Sequence, residues 1–82
     1  MYTKKNVEWK VEGIENREKM LKRIETAVEF GWIDTFETFV DDEKDFTVFR
    51  FRTDRKSYYT LEGYTRDIPK ERMKGFARTV KK

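Results

Sequence analysis

Histidine and cysteine are both missing from this sequence, and each absence removes a class of chemistry. Without them there is no Ser-His or Cys-His nucleophile pair, no imidazole or thiolate ligand set for a transition metal, and no disulfide framework. Serine occurs once, at Ser57, with no base near it in sequence. Only carboxylate, lysine or tyrosine chemistry stays open. The four glycines, Gly13, Gly31, Gly63 and Gly75, are too scattered to form a phosphate-cradling loop. No apolar run approaches the roughly 18 residues of a membrane span. The early stretch Val7-Glu8-Trp9-Lys10 alternates instead of forming the apolar centre of a signal peptide. Residue 2 is Tyr and the chain ends Val80-Lys81-Lys82, so no lipidation signal is expected. Together these absences lead us to expect a cytoplasmic, non-catalytic domain with no metal and no cofactor.

What the chain does contain is aromatic and charged. Its 82 residues suffice for one domain, 1–82, with residues 1–5 and 81–82 expected to fray. Aromatics make up 16% of the chain, enough for a few large side chains to fill a small core. Charged residues reach 43%, yet net charge is only +3, which argues against disorder. The charge is unevenly spread. Residues 1–49 hold eight Lys/Arg against twelve Asp/Glu, a net of −4, whereas residues 50–82 hold eleven against four, a net of +7.

The patterning predicts an α+β domain in the order β-α-β-β-β-α, an antiparallel meander sheet with two helices on one face. Val7, Trp9 and Val11 alternate with charged residues as in a half-buried strand. Met20, Leu21, Ile24, Ala27 and Val28 mark one face of a helix over about 16–30, with Asn16 as cap and Gly31 as its stop. Residues 32–40 fit either helix or strand. Their Thr and aromatic content favours a strand, joined through a turn at 41–45 to a β run at 46–53. Asp54-Arg55-Lys56 is expected to turn the chain into a further strand over 57–64. Asp67-Ile68-Pro69 then opens a last helix with Met73, Phe76, Ala77 and Val80 on its apolar face.

Two acidic motifs carry no chemistry. Asp41, Asp42, Glu43 and Asp45 lack the glycine and alternate spacing of a calcium loop and fit a solvated turn. Glu8-Trp9-Lys10 resembles half of a metal-dependent nuclease site, but no acid precedes it.

The signals that remain are binding signals. With Phe49 and Phe51 facing the helices, Arg50 and Arg52 stand on the open face of the sheet. A strand at 57–64 sends Tyr59 and Leu61 to the core and sets Tyr58 and Tyr64 beside the arginines. Aromatic rings and guanidinium groups on an open sheet can stack unpaired bases and hold phosphates. On the last helix Lys70, Lys74, Arg78 and Lys81 fall within an arc of about 80°, a candidate phosphate-tracking row. These eight residues form the expected nucleic-acid-binding or nucleoprotein-associated surface. The alternative is a protein-interaction module that is an adaptor, an inhibitor or self-associating. The charge asymmetry would steer its docking, and Trp32, Phe36 or Phe39 would anchor it if exposed.

Overall fold

The computed structural model describes residues 3–76 of the chain. The order along the chain is β1 (Lys4–Glu12), α1 (Ile14–Glu29), β2 (Phe36–Asp41), β3 (Phe46–Asp54), α2 (Arg55–Tyr64) and β4 (Glu71–Lys74). The strands form one antiparallel sheet in the order β2-β3-β1-β4. β1 pairs with β3 without interruption from Lys4↔Asp54 to Glu12↔Phe46. Residues 4 and 5, expected to fray, are therefore held in the ladder. Because side chains alternate across a pleated strand, this register sends Val7, Trp9 and Val11 to one face together with Thr47, Phe49, Phe51 and Thr53. All seven are buried.

That face receives both helices, as the α+β reading expects. α1 contributes Met20, Ile24 and Ala27, and α2 contributes Tyr58 and Leu61. Trp9 lies at the centre of the aromatic packing, edge-on to Phe51 at 5.0 Å and tilted against Tyr58 at 5.9 Å. Tyr58 in turn meets Phe76 at 5.5 Å. α1 begins immediately after Gly13, two residues ahead of the expected Asn16 cap. Asn16 instead donates its side-chain amide to the Glu12 carbonyl. β2 is shorter than residues 32–40, because Ile33 is drawn into the core and Trp32 is half-buried against it before the ladder starts.

The C-terminal third departs from the expected order. Residues 57–64 are helical, not a meander strand. Asp54 does not turn the chain between strands. It caps α2, its carboxylate accepting from the Ser57 backbone N–H at 2.8 Å. From that start Tyr58 and Leu61, three residues apart, fall on one helical face and both reach the core. Burial of that pair, with the cap, overrides the strand preference of the Tyr and Thr residues.

The expected final helix is also displaced, since residues 71–74 pair with β1 as an edge strand. Gly75 explains the stop. Its φ of +113° lies outside helical geometry, and an added Cβ would sit 2.7 Å from the Val7 Cγ2 atom and 2.9 Å from the Val7 Cα atom. The chain can pass this close to β1 only as glycine. Phe76 then enters the core, while Ala77 and Val80 of the expected apolar face lie outside the described residues. The resulting β-α-β-β-α-β connectivity is a split β-α-β, or ferredoxin-like, topology. It replaces the α-β-β-β-α succession expected after the first strand.

Phe49 is fully buried at the sheet centre and pairs with Trp9 on one side and Thr38 on the other. Replacing it with Ala should cost about 3–5 kcal/mol, measured as the loss of urea-unfolding free energy. In a domain of this size that amounts to near-complete unfolding.

Candidate nucleic-acid interface

The structure places six of the eight expected contact residues, and it divides them among four environments. Arg50 and Arg52 stand on the open face of β3, as expected. Arg50 is already occupied: its Nε atom donates to Glu8 Oε2 at 2.7 Å, Nη1 lies 3.5 Å from Glu37 Oε1, and the guanidinium stacks on Phe39 at 4.9 Å. Its role is to hold three strands together across the open face. Arg52 is exposed and makes no ion pair among the described residues.

Tyr58 and Tyr64 do not join the arginines, because both sit on α2. Tyr58 is fully buried in the core, with Arg72 donating to its hydroxyl at 3.3 Å. Tyr64 packs edge-on against Trp32 at 5.5 Å and under the Arg23 guanidinium at 5.3 Å. Lys70 lies in the loop before β4. Its ammonium sits 4.8 Å above the Trp9 ring and donates to the Thr65 carbonyl at 2.8 Å, a clamp on the loop. Lys74 is exposed on β4, opposite Glu8. Arg78 and Lys81 lie outside the described residues. With a strand at 71–74, Lys70 and Lys74 no longer share a helical stripe.

A different constellation emerges at one end of the sheet. β1 starts there, β3 ends there and α2 begins there, so Lys4, Lys5, Arg52, Arg55 and Lys56 converge, with Lys74 alongside. Lys4, Lys5, Asn6, Arg52, Lys74 and Gly75 line one shallow hollow. An adjoining hollow shares Lys5 and is lined by Asp54, Arg55, Lys56, Tyr59 and Phe76. The acids nearby are engaged: Asp34 with Lys4 at 2.8 Å, Asp54 as the α2 cap, and Glu8, opposite Lys74, with Arg50 at 2.7 Å. Lys5 and Arg55 flank the Phe76 ring at 5.8 and 5.5 Å. Tyr59, expected in the core, is 40% exposed at this end.

The opposite end has the reverse sign. Glu12, Glu15, Asp41, Asp42, Glu43 and Asp45 gather where β1 ends, α1 begins and the β2–β3 hairpin turns. Asp41 accepts from the Lys44 backbone N–H at 3.2 Å, and the Gly13 N–H donates to the Asp45 carbonyl at 2.9 Å, so these acids organise turns. The two poles stand about 26 Å apart, eight residue steps of β1 at a rise of about 3.3 Å.

Lys4, Lys5, Arg55, Lys56 and Tyr59 were absent from the expected contact set. The charge excess after residue 50 pointed to this region. The pairing that carries residues 4 and 5 back to residues 53 and 54 is a long-range contact with no local signature.

One ion pair on the helical side has a pH signature. Arg23 of α1 donates to both Asp67 carboxylate oxygens, at 2.8 and 3.1 Å, and to the Tyr64 carbonyl at 2.7 Å, tying α1 to the end of α2. The hydrogen bond from Arg23 holds the Asp67 carboxyl below its ordinary value, and the same bond raises Arg23. A carboxylate whose folded pKa is depressed stabilises the fold above its unfolded pKa and loses that contribution as pH falls through the folded value. Thermal melts from neutral pH down through the acid range should therefore show a shallower acid decline for Asp67→Asn than for the unmodified chain.

No family model, no curated protein and no solved structure matches this chain in comparison with known proteins. Among the described residues no helix is long and apolar enough to cross a membrane, and no cluster of three or more carboxylates is arranged to hold a metal ion.

Proposed function

We propose that this domain is a non-catalytic, cytoplasmic nucleic-acid-binding module whose contact surface is the basic end of the sheet. The observation that supports this reading is convergence. Lys5, Arg52, Arg55, Lys56 and Lys74 come from four elements to adjoining hollows, and none of the five makes an ion pair among the described residues. Keeping five like charges together with no carboxylate paired to any of them costs stability through self-repulsion, which a polyanion would relieve by displacing condensed counterions. Tyr59 adds an exposed ring beside them, suited to stacking on an unpaired base. The middle of the open sheet plays no part, because Arg50 is neutralised by Glu8 and Glu37.

Five phosphate contacts give a log–log dependence of affinity on salt of about −3.5 for single strands and about −4.5 for duplex DNA. Replacing the exposed Arg52, Lys56 and Lys74 together with Gln should leave the fold intact and make the slope shallower by about two to three. Tyr59→Ala should weaken single-strand binding by about 1–3 kcal/mol with little change of slope, since stacking releases no ions. Fluorescence anisotropy with short single- and double-stranded oligonucleotides across a salt series measures both. Absence of binding at low salt, or an unchanged slope in the triple variant, would overturn the proposal.

A further inference from the structure

The two edges of the sheet are built differently. β4 carries several devices that keep edge strands from pairing. It has four residues, three of them charged, it follows Pro69, and its register against β1 is broken by a bulge at Glu8/Trp9. β2 shares only the charge, with Glu37 and Asp41 among its residues. Its six residues, Phe36-Glu37-Thr38-Phe39-Val40-Asp41, pair with β3 in unbroken register and include no Lys, Arg or Pro. Phe39 and Val40 are 46% and 49% exposed, one on each face of the sheet.

The helix beside this edge is apolar on the same side. α1 carries the chain from β1 across β3 to β2, and α2 carries it from β3 across β1 to β4, so α1 is the helix nearer β2. Arg23 marks the side of α1 that faces α2 through its bonds to Tyr64 and Asp67. At 100° per residue, Ile14, Arg17, Leu21, Glu25 and Val28 lie about 120° to 180° around the helix from Arg23, on the side toward β2. Ile14 and Leu21 on this side are 58% and 36% exposed.

We propose that this margin pairs with a second copy of the same chain, β2 to β2 and antiparallel, about a two-fold axis normal to the sheet. The occupant is a second copy because the margin is self-complementary. With the axis at Thr38, Phe36 faces Val40 of the second copy and Glu37 faces its Phe39, so no like charges oppose each other within β2. The Glu37 carboxylate is already met by Arg50 of its own chain. An axis at Phe39 would set Glu37 against Asp41 and is disfavoured.

The same symmetry acts on the helices. Thr38 pairs through Phe49 with Trp9 near the middle of β1, and Leu21 is near the middle of α1, so the proposed axis is set at the level of both. About Leu21 the two-fold matches Ile14 with Val28 and Arg17 with Glu25, each pair occurring twice. An antiparallel arrangement also sets the acidic hairpin of each copy at the same end of the joined sheet as the basic pole of the other. The outcome is a continuous eight-stranded sheet with a two-helix seam, and Lys5, Arg55, Lys56 and Lys74 stay on the far side of each copy.

Sedimentation equilibrium of the full chain, without nucleic acid, tests this independently of the binding proposal. The unmodified chain is expected at twice its 10.1 kDa mass. Val40→Lys, which places a charge on an exposed edge position, should sediment as a single chain with an unchanged far-ultraviolet circular dichroism spectrum. Arg17→Glu or Glu25→Arg alone should weaken the dimer by about tenfold or more, and the double exchange should restore it. A chain that stays monomeric as concentration rises would overturn the proposal, as would a Val40→Lys variant that remains dimeric. Failure of the double exchange to restore the dimer would overturn the helix seam.

Discussion

The uninterrupted register between β1 and β3 is the constraint on which most of this molecule depends. Because side chains alternate, one pairing decides at once which residues enter the core and which face water. It places Trp9 beside Phe49 and sets it edge-on to Phe51, so the aromatic centre and the sheet centre coincide. The same register determines the charge geography. The cations at the start of β1 meet the end of β3 and the start of α2, while the acids at the end of β1 meet the hairpin. A slip of one residue would turn every side chain to the opposite face and remove core and poles together.

The aromatic alternation in β1 and β3 was legible in the sequence because period 2 is a local property, and the apolar spacing of α1 was legible for the same reason. Residues 55–64 and 71–74 were not. In the first, Tyr58-Tyr59-Thr60 has strand composition, and the deciding features are one capping carboxylate and the burial of Tyr58 and Leu61 against Trp9 and the sheet. In the second, Lys70, Met73 and Lys74 sit at helical spacing, yet Gly75 must adopt positive φ against Val7. That close approach exists only once the sheet has formed. The candidate site followed the same division: Arg52 was correctly placed by alternation, whereas Tyr58 and Tyr64 moved with the segment that is helical instead of extended.

Two arginines on one strand show why composition alone does not identify a binding surface. Arg50 and Arg52 both point to the open face, two residues apart. Arg50 spends its charge and its planar face on Glu8, Glu37 and Phe39. Arg52 lies one step beyond the reach of those acids, at the pole where cations outnumber carboxylates. The sheet thus divides: one end is proposed to bind through charge and the β2 edge to pair with another copy, while the centre is structural.

Confinement of binding to the basic pole is the central claim. The most direct measurement is the map of backbone amide chemical-shift changes when a short single-stranded oligonucleotide is titrated into the nitrogen-15-labelled protein. Confinement predicts changes at Lys4, Lys5, Asn6, Arg52, Arg55, Lys56 and Lys74, with the amides of 41–45 unmoved. Shifts centred on Arg50 and the middle of the open face, or spread evenly over both poles, would contradict it.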